Sequence, residues 1–309
     1  IIARMNEYHG FTHMALAMGR ARPLNLGYFE PLVPGVSHIS QPYCYRCPLG
    51  IEYPGCGVAC ARELEGVIQH EGPELVAAMI VTAIGHITPV TVPPPEYWPM
   101  IKSTCDKYGV LLIDDEVICG FGRTGKMFAM EHFGIVPDMI TVAKSFTGGY
   151  LPLSACICTP EISNRFEESN VPFQQYATFG ALPACCAAAQ ANIEIIENEK
   201  LVENAAAMGE YFREKAQALY EHPTVGDIRG IGLTWCIELV KDRKTKERIS
   251  GKEGADMTRK FHDAGFLLGA GGGIISFFPP LVITRDEIDE CLAVIDKAIG
   301  EMENESLSH

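Results

Sequence analysis

Lys144 closes the apolar run Met139-Ile140-Thr141-Val142-Ala143 and stands ahead of Ser145-Phe146-Thr147-Gly148-Gly149-Tyr150. A lysine at the end of a strand-length apolar run, before a Gly-containing turn, has its amine delivered to the edge of a sheet. Burying a lysine is costly unless it loses or pairs its charge, and a lysine held that way suits Schiff-base chemistry. The bland alternative is a solvated lysine at a strand end. A second run, Val110-Leu111-Leu112-Ile113-Asp114-Asp115-Glu116-Val117, leads into Gly120-Phe121-Gly122-Arg123-Thr124-Gly125. Asp115 and Lys144 lie 29 positions apart, enough for one crossover between parallel strands. A carboxylate and an amine at neighbouring strand ends can address opposite parts of one cofactor ring, and the other reading is an ordinary buried Lys–Asp ion pair.

The elements that would position these groups alternate β and α. A crossover helix is expected near Pro95–Tyr108, then the strand to Asp115, a turn region, the strand to Lys144 and another over Ser154–Thr159. Helix-like stretches Ala61–His70 and Glu74–Ala77 lead into an earlier strand, Ala78–Ile84. The order predicts an α/β fold: a mostly parallel sheet with helices on both faces and ligands outside the carboxyl ends of its strands. A long helical pattern follows from Pro183 to Glu199. The character changes after Lys200, where helix Leu201–Glu221, strands around Gly232–Val240 and Gly265–Phe278, and helix Arg285–Met302 suggest a smaller α+β unit. The expected division is therefore a large domain over 1–200 and a small C-terminal domain over 201–309. Gly269-Ala270-Gly271-Gly272-Gly273 lacks a following helix, so it reads as a turn and not as a nucleotide loop.

Pyridoxal phosphate needs a lysine for its aldehyde and a carboxylate for its ring nitrogen. The segment from Asp115-Glu116-Val117 through Gly125, then Pro137-Asp138 and Ala143-Lys144, resembles the signature of the class III aminotransferases, pyridoxal-phosphate enzymes of fold type I. The likeness extends to Tyr8-His9-Gly10, Pro93-Pro94 with Tyr97-Trp98-Pro99, Thr178-Phe179-Gly180 with Pro183-Ala184-Cys185, Asp227-Ile228-Arg229-Gly230-Ile231-Gly232 and Pro279-Pro280-Leu281. The resemblance implies that Lys144 forms the Schiff base and moves the Cα proton, with Asp115 on the pyridinium nitrogen. Val117, two residues along the expected strand from Asp115 and so facing the same way, would pack beneath the ring or serve as plain core. Tyr8 would stack on the other ring face, with His9 and Gly10 beside it, the glycine allowing backbone approach. Thr178 would reach the phosphate of a neighbouring subunit's cofactor, which implies a homodimer; otherwise it is a turn residue. Arg123 looks like a cofactor clamp, but the family suggests a structural role in its loop. The family is longer at the N-terminus, where it carries a Gly/Ser loop for the cofactor phosphate; about a hundred or more preceding residues are therefore expected.

Of 309 residues, 47% are hydrophobic, and 39 acidic residues against 25 basic give a net charge of −14. No basic run stands out, so nucleic acid and anionic membranes are poor partners. No apolar span of about 18 residues occurs, and the expected setting is cytoplasmic. Of the 12 cysteines, Cys44, Cys47, Cys56 and Cys60 superficially suggest zinc. Pro48, Pro54 and nearby glycines make the segment a loop, its Pro42-Tyr43-Cys44-Tyr45-Arg46-Cys47-Pro48 run resembles one in family members that bind no metal, and no metal is expected. Reduced thiols are expected throughout.

The resemblance breaks where a bidentate arginine normally holds a substrate carboxylate. The ω-amine-type position is Gly269 and the ornithine-type position is Ser276; the glutamate that partners the latter is replaced in Val81-Thr82-Ala83. Losing both partners together is self-consistent, because a lone buried charge is costly. Arg20, Arg22 and Arg46 are candidates for the missing cation. The expected function is transfer of an amino group from an ω-amine, β-amino acid or taurine-like donor to a small 2-keto acid such as pyruvate. The alternatives are a decarboxylase, racemase or aminomutase with the same cofactor, or an inactive fragment.

Overall fold

Apolar runs without polar interruption suit strands covered on both faces. Ala78-Met79-Ile80-Val81 and Ile2-Ala3-Arg4 are buried at every position. The computed structural model describes residues 1–21, 26–86 and 90–307, without the side chains of 306 and 307. Strands β1 (Ile2–Arg4), β2 (Ser37–Ile39), β3 (Ala78–Val81), β4 (Leu111–Asp115), β5 (Met139–Val142) and β6 (Ala155–Cys158) make one sheet ordered β2-β1-β3-β4-β5-β6. All neighbours are parallel except β6, which runs antiparallel to β5. The α/β expectation holds, with one antiparallel edge strand added.

Helices α1 (His13–Gly19), α2 (Ala59–Glu71), α3 (Tyr97–Tyr108), α4 (Pro160–Ser169) and α5 (Pro183–Asn198) accompany this sheet. In α3 the buried residues Tyr97, Trp98, Ile101 and Cys105 recur at helical spacing and form its core stripe. Gly109 ends it at φ +65, its N–H facing the carbonyls of Cys105 and Asp106, and the left-handed residue is one that glycine adopts without a Cβ penalty. The chain then enters β4, where the Asp138 carboxylate accepts the Leu112 N–H at 2.7 Å.

Two expected strands are shorter than the apolar runs. The one over Ala78–Ile84 stops at Val81 because the next two backbone N–H groups turn to side chains: Thr82 to Glu7 at 3.3 Å and Ala83 to Asp114 at 3.1 Å. The one to Lys144 stops at Val142 because Lys144 adopts φ +47 and opens a short 3-10 turn. Helix α4 has no counterpart in the sequence reading.

Residues Ile1–Thr88, Val92–Phe121 and Lys126–Lys200 form one compact unit; Gly122–Gly125 and Leu201–His309 make most of a second. In the second, α6 (Leu201–Ala216), α7 (Gly251–Asp263) and α8 (Arg285–Leu307) accompany β7 (Val225–Ile231), β8 (Thr234–Asp242), β9 (Glu247–Arg248) and β10 (Ile274–Phe277). The sheet is antiparallel in the order β10-β8-β7, with β9 paired to β8. Phe212 stacks on Phe277 at 4.3 Å in its core. Helix α7, also absent from the sequence reading, starts with the reciprocal Ser250–Glu253 capping box, a signal present in the sequence. The strand expected over Gly265–Phe278 forms only as β10, because the glycines ahead of it turn, with positive φ at Gly272 and Gly273.

Gly232 opens the two-residue turn between β7 and β8 at φ +54, and a β-carbon there would lie 2.2 Å from the Thr124 carbonyl carbon. Gly232→Ala combines left-handed strain with a backbone clash, so it is expected to lower unfolding free energy by roughly 2–4 kcal/mol. Urea denaturation measures this, and an unchanged midpoint would refute the close approach.

Candidate active site

The end of β4 is shaped by its own last side chain. Asp115 Oδ1 accepts the Val117 N–H at 3.1 Å, and the Glu116 N–H continues the ladder to Thr141 O at 2.9 Å. The strand stops at Asp115 and residues 117–120 turn away. Strand alternation therefore does not set the direction of Val117, contrary to the expectation. Val117 is half-buried in the turn and touches Asp115 through its backbone.

Asp115 Oδ2 lies 2.6 Å from His9 Nδ1. The other His9 nitrogen, Nε2, is 3.6 Å from Glu7 Oε2, and the His9 side chain is only 1% exposed. Burial lowers the His9 pKa, but the hydrogen bond to Asp115 and the negative charges of Asp115 and Glu7 more than offset it, bringing it to about 9. Behind it, Glu7 Oε1 accepts from Arg4 Nη2 and from Thr82 Oγ1, the latter at 2.9 Å. Burial raises the Glu7 pKa, while Arg4 and His9 outweigh this and bring it down to about 2. Arg4 also donates to Thr82 O, and its guanidinium faces the Trp98 ring at 5.3 Å. Four buried groups thus alternate in charge from Arg4 to Asp115.

Asp114 faces the other side of β4, as strand alternation requires, and Glu116 lies just past its end. Asp114 accepts the Ala83 N–H, and Glu116 accepts those of Ala129 and Met130 at 2.5 and 3.2 Å. Burial raises the pKa of both carboxyls, Asp114 the more strongly.

Lys144 sits one strand over, three residues past the Asp115↔Thr141 pair. Its amine is exposed to an open cleft of about 620 Å³ lined by Thr147, Gly149, Tyr150, Leu151 and Ser154. Partial desolvation lowers its pKa, against the opposing pull of Asp115 and Cys119. Its left-handed backbone costs about 1–2 kcal/mol, so the turn must be held from outside. Asn192 of α5 donates to Ser145 O at 2.7 Å and to Phe146 O at 3.4 Å, and Phe146 stacks on Phe121 at 5.1 Å. Asn192 carries no sequence signal, since only the packing of α5 reveals it.

The remaining candidates are spread more widely. Tyr8 is half-buried and meets Phe11 edge-on at 5.6 Å. Gly10 has φ +126, a conformation closed to most side chains. Thr178 lies in the exposed segment between α4 and α5, and among the described residues no hydrogen bond links it to this group. Arg123 donates to Leu233 O and Pro279 O, tying backbone together. Gly269 is exposed and Ser276 lies on β10 opposite Cys236. Arg20 caps α1 and is exposed, Arg46 lies over the Tyr45 ring at 5.4 Å, and Arg22 falls outside the described residues. Cys44, Cys47, Cys56 and Cys60 line one small apolar pocket, and among the described residues no group of three or more His, Cys, Asp or Glu is arranged to hold a metal ion.

His9 is the titratable group whose state this network most changes. Its folded pKa is above the ordinary 6.5, so its stabilisation is fully present below about pH 6.5 and is lost as pH rises through about 9. Thermal melts are expected to decline across that window, by on the order of 3 kcal/mol at most. His9→Gln should flatten this slope, and an unchanged slope would place the titration elsewhere.

The model for the family "aminotransferase class-III" matches residues 1–299. A putrescine–pyruvate aminotransferase of Pseudomonas aeruginosa is 37% identical, over 97% of this chain and 66% of that protein. A taurine–pyruvate aminotransferase of Bilophila wadsworthia is 38% identical, over 98% and 69%. An amine transaminase from an uncultivated Pseudomonas species, solved with pyridoxal phosphate bound, superposes with a TM-score of 0.90 at 33% identity, covering 97% of this chain and 69% of that one. The chain spans about two thirds of the length of the relatives it matches, at 66% of the first.

Proposed function

We propose, from the premise that this chain belongs to the class III aminotransferases, that it moves an amino group from an ω-amine, β-amino acid or taurine-like donor to a small 2-keto acid such as pyruvate. Members of the family depend on pyridoxal phosphate. The observation that carries the reading is the placement of Lys144 and Asp115 at the ends of adjacent parallel strands, the amine with a lowered pKa and the carboxylate bonded to a cationic His9. That donor set fits the cofactor's aldehyde and its protonated ring nitrogen. When bound, pyridoxal phosphate supplies an aldehyde that exchanges amines and a ring that accepts the electron pair left at the substrate Cα.

Lys144 would hold the cofactor through its aldehyde and, once displaced by a substrate amine, would take and return the Cα proton, for which its lowered pKa suits it. Asp115 would hold the ring nitrogen protonated. Tyr8 and Val117 would hold the ring between them, with Gly10 leaving room for backbone approach. Thr178 would hold the phosphate of the neighbouring subunit's cofactor in a homodimer. The exposure of Phe173 at 69%, Tyr176 at 89% and Phe179 at 80% around it supports a protein contact there. Twelve free thiols support a reducing, cytoplasmic setting. The donor class rests on the named activities of the two relatives and on the residues at the carboxylate-binding positions. With Gly269 and Ser276 in place of arginine, and with the carboxylate beside Thr82 already paired to Arg4, a second buried substrate carboxylate finds no free cation at those sites.

The purified protein, loaded with pyridoxal phosphate, is expected to form alanine from pyruvate with at least one of putrescine, taurine or a β-amino acid. Carbon dioxide release, or solvent deuterium at Cα without alanine, would overturn transamination, as would no alanine from any donor. Lys144→Ala should cut turnover by on the order of 10³-fold or more, and borohydride should fix the cofactor on the Lys144 peptide.

A further inference from the structure

Asp115 stands at the end of a buried series whose members have no exposed charge to screen them. Relative exposures are 1% for Arg4, 3% for Glu7 and 5% for Asp115, with the His9 side chain at 1%. Glu7 is the member that faces two cations. Its Oε1 takes the Arg4 guanidinium and the Thr82 hydroxyl, and its Oε2 takes the Thr82 N–H and lies 3.6 Å from His9 Nε2. Every contact fixes the carboxylate in one orientation, so the charge it presents to His9 is preorganised.

A neutral imidazole has one N–H. Nδ1 is hydrogen-bonded to Asp115 at 2.6 Å, while Nε2 faces the Glu7 carboxylate at 3.6 Å, beyond hydrogen-bond reach, so Glu7 acts on the imidazolium through its charge. A cationic His9 then gives Asp115 a charge-assisted partner. Without the Glu7 charge, His9 would be a cation in a buried space already holding Arg4, and it would shed its proton. Asp115 Oδ2 would then face a neutral imidazole in place of a charge-assisted partner.

We propose that Glu7 is a positioning residue for the cofactor: acting through a cationic His9, it holds the Asp115 carboxylate in a fixed orientation for the ring nitrogen. This rests on the reading of Asp115 as the ring-nitrogen partner. The charged and titratable groups facing the series are Arg4 and Tyr97 on Glu7, Asp115 on His9, and Lys144, Asp114 and Glu116 around Asp115. Glu7 has a further consequence for the Val81-Thr82-Ala83 stretch, which carries no charge of its own. The carboxylate beside Thr82 arrives from the β1 side and is directed at His9 as well as at Arg4.

The test uses the purified protein labelled at its histidine rings, as wild type, Glu7→Gln, Glu7→Asp and Thr82→Val. NMR titration without cofactor reads the His9 pKa, and absorbance titration with pyridoxal phosphate reads the ring's protonation and the Kd. In Glu7→Gln the His9 pKa is expected to fall by roughly one unit or more, the pH midpoint of the bound cofactor's spectrum to shift down, and the Kd to rise about tenfold. Glu7→Asp should recover part of each change. Thr82→Val, which removes one hydrogen bond to Glu7 and leaves its charge, should move all three the same way by less, and it serves where Glu7→Gln does not fold. A wild-type His9 titrating near its ordinary value overturns the proposal. So does a shifted His9 with an unshifted cofactor spectrum. Asp115→Asn with unchanged cofactor affinity and spectrum would instead sink the ring-nitrogen reading, whatever His9 does, and so separates the two failures.

Discussion

A carboxylate buried where water is scarce, which needs a partner for each oxygen, is the constraint on which the rest of this site depends. Removing a carboxylate from water costs several kcal/mol unless opposite charge and hydrogen bonds replace the solvent. Asp115 receives the Val117 N–H on one oxygen and His9 on the other. His9 brings its own burial problem, met by Glu7, and Glu7 brings another, met by Arg4. The series ends at Arg4 because a guanidinium spreads its charge over several donors and faces the Tyr97 and Trp98 rings. Strand β1, helix α3 and the end of β3 therefore serve an electrostatic purpose as well as a packing one.

Lys144 is held by a different principle. Its left-handed backbone is unfavourable, and the surroundings have to enforce it. Asn192 secures the carbonyls of the following two residues, and the Phe121–Phe146 stack fixes the turn laterally. Gly148 completes the turn at φ +61, where a β-carbon would come within 2.7 Å of Asn192 Oδ1. The amine is thus placed by a helix that begins almost forty residues later in the chain, and it remains accessible while its pKa is lowered.

Charge pairing also explains how the chain buries carboxylates without leaving their charge unmatched. Val81-Thr82-Ala83 carries no charge of its own, and Glu7, three residues past β1, brings a carboxylate to Thr82. In the second unit the fully buried Glu238 is matched by Arg229 at 3.0 Å and Arg248 at 3.2 Å. In each case the acid is tolerated because a guanidinium meets it.

The sequence by itself determined the alternation of apolar strands and helices, the parallel order of the sheet, and the placing of Asp115 and Lys144 at adjoining strand ends. These are local signals, carried by run length, periodicity and the residues that close each run. The family motifs added Tyr8, His9, Gly10, Val117 and Thr178 by position alone. What only the tertiary structure decided is which side chain meets which. His9 and Asp115 are 106 positions apart, and no spacing rule states that one imidazole faces two carboxylates. The same holds for Glu7 beside Thr82, for Asn192 under the Lys144 turn and for the early ends of β3 and β5. In these, a backbone group or a charge left over by the strand takes its partner from a distant segment, because leaving a buried polar group unpaired is costly.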